Sequence, residues 1–69
     1  MYNTLLYTVE NGICSITLNR PEVFNSFNEE LSAEIIDALK KTAKDESVRV
    51  VVLSGTGKAF CSGQDLKDI

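Results

Sequence analysis

The stretch Val48-Arg49-Val50-Val51-Val52-Leu53-Ser54-Gly55-Thr56-Gly57-Lys58-Ala59-Phe60-Cys61-Ser62-Gly63-Gln64-Asp65-Leu66 decides how this chain is read. Val50 to Leu53 are four consecutive apolar residues of strand-forming type, without alternation. That is the pattern of a parallel strand covered on both faces. The strand empties into a glycine-spaced loop, Ser54 to Leu66, whose end carries a polar residue followed by a carboxylate. A rigid strand feeding such a loop reads as a device for presenting backbone amides to a ligand. Everything upstream reads as its scaffold.

Working upstream, Asp45-Glu46-Ser47 separates the strand from an amphipathic segment. Two start signals overlap there. Ser26 with Glu29 matches a capping box, and Asn28 is itself a good N-cap ahead of Glu29 and Glu30. Either places a helix start near Asn28. Leu31, Ile35, Ala38, Leu39 and Thr42 recur at three-and-four spacing and predict one buried stripe. Lys40, Lys41 and Lys44 fall in the last turns, where cations suit the helix dipole.

Further upstream, Leu5 to Val9 and Ile13 to Leu18 are β-rich, and Glu10-Asn11-Gly12 between them contains the Asn-Gly pair of a type I′ turn. Leu5 to Leu18 is therefore expected to be an antiparallel hairpin, with Cys14, Ile16 and Leu18 on the core face. Asn19-Arg20-Pro21 ends the second arm, since proline removes a ladder donor and restricts its predecessor. The expected class is α/β: hairpin, helix, parallel strand. One helix covers one face of a small sheet, so the other face is expected to stand bare in these 69 residues. The chain also stops at Lys67-Asp68-Ile69 without a closing element, and is expected to be part of a larger domain or a protomer covered by a partner.

Composition narrows the function. A chain of 69 residues is one small domain at most, and at that size only about 60% of the unfolded surface is buried. The two cysteines, Cys14 and Cys61, lie in an apolar strand and in the loop, and the first residues do not read as a secretory leader. Reduced cytosolic thiols are expected rather than a disulfide. With no histidine and no CxxC spacing, a zinc site is not expected. The net charge of −3 and the scattered lysines and arginines argue against nucleic acid. The apolar runs are far shorter than the roughly 20 residues that cross a bilayer, so no membrane partner is expected.

The loop fails the phosphate motifs. A P-loop needs glycine five residues before Gly57, where Val52 stands, and Ser or Thr after the lysine, where Ala59 stands. A dinucleotide fingerprint from Gly55 needs glycine where Phe60 stands. Histidine-based nucleophilic systems are impossible, and Cys61, with only Lys58 as a nearby cation, reads as a small filler. Asp65 fits a general base or a structural and ligand-positioning role, with the second favoured. Lys58 fits a phosphate contact or a solvated turn, again with the second favoured. Asn25 fits a ligand contact or closure of the turn before the helix, and closure is favoured.

The segments LNRPEVFNSFNEEL (Leu18 to Leu31) and GKAFCSGQDL (Gly57 to Leu66), separated by an amphipathic helix and a VRVVVLSG strand, closely resemble the amino-terminal part of the crotonase superfamily, the enoyl-CoA hydratases and isomerases. The resemblance covers essentially the whole chain, residues 1–69, as an incomplete amino-terminal part of such a domain. It implies a repeated ββα spiral fold in which the loop after the strand binds an acyl-CoA thioester. The backbone N–H of Gln64, after Gly63, would be one of two donors to the thioester oxygen. Ser62 and its neighbours would line the adenine pocket, Asp65 and Leu66 would continue along the ligand, and the turn from Val23 and Phe24 to Phe27 would border the CoA chain.

Coenzyme A would arrive as part of the substrate, with no separate cofactor. A cytoplasmic homo-trimer or hexamer is the implied parent. The second oxyanion donor and the acid and base would lie beyond residue 69, so the chain alone is expected to be inactive. The Ser-Gly-Gln-Asp-Leu wording resembles the phenylacetate-pathway isomerase branch more than the hydratase branch, where alanine is common at the Gln64 place. A non-catalytic acyl-CoA-binding or scaffold piece on the same fold is the alternative.

Overall fold

The computed structural model describes residues 2–63. It contains a three-stranded sheet in the order β1-β2-β3 and one α-helix. β1 (Leu5–Glu10) and β2 (Ile13–Leu18) pair antiparallel, from Leu5 opposite Leu18 to Glu10 opposite Ile13. The connecting Asn11 and Gly12 have φ of 53° and 79°. A type I′ turn requires positive φ at both positions, which asparagine tolerates and glycine adopts freely. Because the loop is only these two residues, Glu10 is paired rather than in the turn, which extends the first arm by one residue beyond the expected Val9.

The helix α1 spans Glu29–Ala43. Of the two start signals, Asn28 is the one that caps: its Oδ1 accepts the Leu31 N–H at 2.8 Å. Glu29 and Glu30 occupy the first turn and Lys40 and Lys41 the last, so both ends are matched to the dipole.

β3 (Val50–Gly55) pairs parallel to β2, from Ile13 opposite Val50 to Leu18 opposite Gly55. The strand begins and ends two residues later than the sequence pattern suggested. Val48 is spent on a turn, its N–H donating to the Asp45 carbonyl, while Arg49 and Val50 both donate to Gly12 at the hairpin tip. At the other end β3 continues through Ser54 and Gly55 because β2 offers partners as far as Leu18. Ser54 Oγ donates to Thr17 Oγ1 across this pair at 3.3 Å.

The core is the predicted face of β2, with Cys14, Ile16 and Leu18 fully buried, joined by Leu5, Leu31 and Ala38. Thr42 closes one end: its hydroxyl lies 3.1 Å from Tyr7 Oη and 3.3 Å from Cys14 Sγ, and donates to the Ala38 carbonyl. A polar clasp fixes the helix over β1. The Glu34 carboxylate accepts the Asn3 and Thr4 N–H groups and the Thr4 hydroxyl at 2.7–3.0 Å. Partial burial pushes this carboxyl up, but the three donors outweigh it and hold it below its usual range. Tyr2 Oη donates to Asp37 at 2.7 Å, and that bond beside a carboxylate pushes the phenol up to about 12.

Two expectations about coverage change. Leu39 is not in the buried stripe; it is 47% exposed, and Ile36 is similarly exposed. At roughly 100° per residue these two lie on the flank opposite Glu34, Asp37 and Lys41, the residues that hold the helix to the β1 side. The helix therefore covers the β1–β2 half of its face and not β3. Val51 and Leu53, which share the helix side of the sheet with Cys14 and Ile16, are about half exposed, as are Val50 and Val52 on the far side. The expected bare surface is thus larger than one face: β3 is uncovered on both.

Candidate functional site

β2 and β3 are parallel, so Leu18 and Gly55 end side by side, and the segments leaving them run along the same edge of the sheet. Carboxyl ends of parallel strands are where open α/β sheets hold ligands. The first segment begins with a 3-10 turn, Pro21–Val23, and then places two consecutive non-glycine residues at positive φ, Phe24 at 55° and Asn25 at 56°. Asparagine tolerates that region; for phenylalanine it is an outlier that persists only where the surroundings over-determine it.

The surroundings here are a set of hydrogen bonds radiating from Asn25, which is fully buried. Its Oδ1 accepts the Arg20 N–H at 2.6 Å, closing the turn locally. Its Nδ2 donates to the Thr56 and Ala59 carbonyls, both at 2.8 Å, in the second segment. Thr56 also donates through its N–H to the Leu18 carbonyl at 2.9 Å and through its hydroxyl to Asn19 Oδ1 at 3.1 Å. Further along, Ser62 Oγ donates to the Val23 carbonyl at 3.4 Å, and the Phe27 N–H donates to the Gly63 carbonyl at 2.7 Å. Residues 23–27 thus form the bed on which 56–63 lie.

Of the residues singled out from the sequence, Val23 is half-buried and Phe24, Ser62 and Gly63 are exposed along this edge. The two motif segments are brought together, with Ser62 on Val23. Gly63 has φ of 104°, a conformation L side chains rarely adopt, and among the described residues nothing lies within 4 Å of where a Cβ would project. Gln64, Asp65 and Leu66 lie outside the described residues. Lys58 is exposed. Cys61 is half-buried against the core, and its Sγ accepts the Gly63 N–H at 3.4 Å, so it is a packed filler with a partner on the loop.

Gly57 sits at φ of 80°, with Pro21 Cβ 3.0 Å from where its own Cβ would be. Gly55 is more confined: a Cβ there would lie 2.5 Å from the Phe60 carbonyl oxygen and 2.8 Å from Asn25 Nδ2. The glycines of the loop serve close approach and turning, consistent with the failure of the phosphate motifs. The reach of Asn25 into the loop is what sequence reasoning missed. Its partners are backbone carbonyls 31 and 34 residues away, which leave no residue-type signal.

A family profile described as Enoyl-CoA hydratase/isomerase matches residues 8–69. The chain belongs to the enoyl-CoA hydratase/isomerase family. Among its relatives, the 1,2-epoxyphenylacetyl-CoA isomerase of Escherichia coli (strain K12) is 46% identical over 68 residues, 99% of this chain and 26% of the relative. The trans-2-decenoyl-(acyl-carrier-protein) isomerase of Streptococcus mutans is 40% identical over the same share of each. Among solved structures, an enoyl-CoA hydratase/isomerase from Xanthobacter autotrophicus Py2 superposes with a TM-score of 0.93 at 42% identity, covering 97% of this chain and 25% of that one. The mixed sheet and single helix match the amino-terminal part of these crotonase-fold neighbours. The chain spans about a quarter of the length of the relatives it matches. Among its described residues no helix is long and apolar enough to cross a membrane.

Proposed function

We propose that the chain is the amino-terminal part of an enoyl-CoA hydratase or isomerase, contributing the edge on which an acyl-CoA thioester lies. The observation that carries this reading is the docking of Ser62 and Gly63 onto Val23–Phe27, which joins the two motif segments into one surface at the ends of parallel strands. Gln64 follows Gly63 directly, and its backbone N–H is the proposed oxyanion donor. Proton removal beside a thioester, or addition to a conjugated one, accumulates negative charge on the carbonyl oxygen. A fixed main-chain donor stabilises that charge without reorganising. Ser62, Gly63, Asp65, Leu66, Val23 and Phe24 are proposed to border the ligand. Coenzyme A enters with the substrate, so no separate cofactor is required.

The second donor and the acid and base are proposed to come from the part of the protein beyond residue 69, in a cytoplasmic trimer or hexamer. For the reaction, the Ser-Gly-Gln-Asp-Leu wording and the name of the Escherichia coli relative support an isomerase of phenylacetate degradation, while a probable enoyl-CoA hydratase from Rhodobacter capsulatus that is 48% identical supports a hydratase, and both reactions are to be assayed. The test is an assay of the full-length protein with trans-2-enoyl-CoA for hydration and double-bond migration, and with 1,2-epoxyphenylacetyl-CoA for isomerisation. Turnover of any one is expected; turnover of none overturns the reading. The 69-residue chain alone is expected to turn over none of them.

A further inference from the structure

We propose that Asn25 is a positioning residue: its side-chain amide sets the placement of the loop 56–63, and through that loop the rate of thioester turnover. The second half of this statement rests on the proposed function, and the first half does not.

Three features separate Asn25 from an ordinary turn asparagine. It is fully buried. Both polar atoms of its side chain are used in the sense that an amide alone satisfies, with Oδ1 accepting from Arg20 N–H and Nδ2 donating to two carbonyls. Those two carbonyls belong to Thr56 and Ala59, on either side of the Gly57-Lys58 turn, so one side chain fixes both ends of that turn. The main chain from Ala59 then continues to Ser62 and Gly63, which rest on Val23 and Phe27 of the same bed. Phe60 to Gly63 are otherwise held on the Asn25 segment through Ser62 and Gly63 and on the core through Cys61, so a shift at Thr56 and Ala59 is passed along these four residues to Gly63.

A turn role and a loop-holding role make opposite statements about Asn25→Gly. Glycine adopts φ of 56° more readily than asparagine, so a residue needed only for the left-handed conformation is replaced without harm. A residue needed for its amide is not: glycine takes the donor away from two partly buried carbonyls, those of Thr56 and Ala59. Asn25→Asp sharpens the contrast. It keeps the shape and the Arg20 contact but turns an oxygen toward both carbonyls.

The experiment uses the full-length protein and measures amide hydrogen exchange together with kcat and KM for the acyl-CoA substrate. In Asn25→Gly and Asn25→Asp, exchange at 56–63 is expected to rise by about tenfold or more, with the amides of β1 and β2 unchanged. kcat is expected to fall by about tenfold or more, beyond any change in KM. Gly55→Ala, whose Cβ would lie 2.8 Å from Asn25 Nδ2, provides a milder perturbation should the substitutions at 25 not fold, and is expected to raise exchange at the same amides. Unchanged exchange at 56–63 in Asn25→Gly, or an equal rise throughout β1 and β2, overturns the positioning role. Raised loop exchange with kcat unchanged overturns the link to turnover. If the unsubstituted protein has no turnover, the proposed function fails while the exchange result still decides the role of Asn25.

Discussion

Consider replacing Gly55, the last residue of β3, with alanine. Gly55 is not among the glycines at positive φ, so its backbone conformation is open to alanine. Loss of a glycine from a compatible position normally stabilises by about 0.4–1 kcal/mol, because the unfolded chain loses freedom. The structure reverses the sign. The new Cβ would lie 2.5 Å from the Phe60 carbonyl oxygen, 3.0 Å from Phe60 Cα and 2.8 Å from Asn25 Nδ2. The nearest atom is backbone, so no side-chain rotation relieves the contact, and overpacking of this kind costs about 1–3 kcal/mol. Setting the two terms against each other leaves a net loss of roughly 1–2 kcal/mol. In urea denaturation of the full-length protein the midpoint is expected to fall by roughly 0.5–1 M at unchanged slope. A midpoint equal to or above that of the unsubstituted protein would refute the reasoning, since it would mean that Phe60 does not cross β3 this closely.

Asn28→Ala removes the oxygen that caps α1 at Leu31, and is expected to cost about 1 kcal/mol by the same denaturation measurement, with a neutral result counting against the cap. Glu34 has a carboxyl held below its usual 4.5 by the Asn3 and Thr4 donors, so its contribution to stability is present above the unfolded-state value and is lost as pH falls through the folded-state value. Glu34→Gln is therefore expected to flatten the acid limb of the stability profile below pH 4.5, as read from thermal melts across pH; an unaltered limb contradicts the clasp. Gln64→Ala in the full-length protein is expected to retain most of its turnover, because the proposed donor is main chain. A fall of about 10²–10³-fold in kcat, the size of a lost oxyanion donor, would remove that assignment.

The sequence by itself determined the elements and most of the core. Asn11-Gly12 specifies a two-residue turn through its tolerance of positive φ, and that turn fixes the hairpin register that puts Cys14, Ile16 and Leu18 on one face. Asn28 and the three-and-four spacing from Leu31 to Thr42 determine where the helix starts and which stripe it buries. These are local effects of turn geometry, capping and periodicity, with causes only a few residues apart. Motif order and spacing likewise carried the family, because residue types are visible without coordinates.

Only the tertiary structure decided how far α1 reaches across the sheet. The clasp from Glu34 to Asn3 and Thr4 draws the helix over β1, and Leu39 is exposed although its spacing fits the stripe. The end of β3 was decided by its partner β2 rather than by its own composition. The loop that follows showed its glycines and its Ser62-Gly63 signature in the sequence, but its placement rests on Asn25 donating to carbonyls more than 30 residues away. A main-chain acceptor is the same for every residue type. Such a bond is specified by where the backbone passes, and that becomes defined only once β2 and β3 lie side by side.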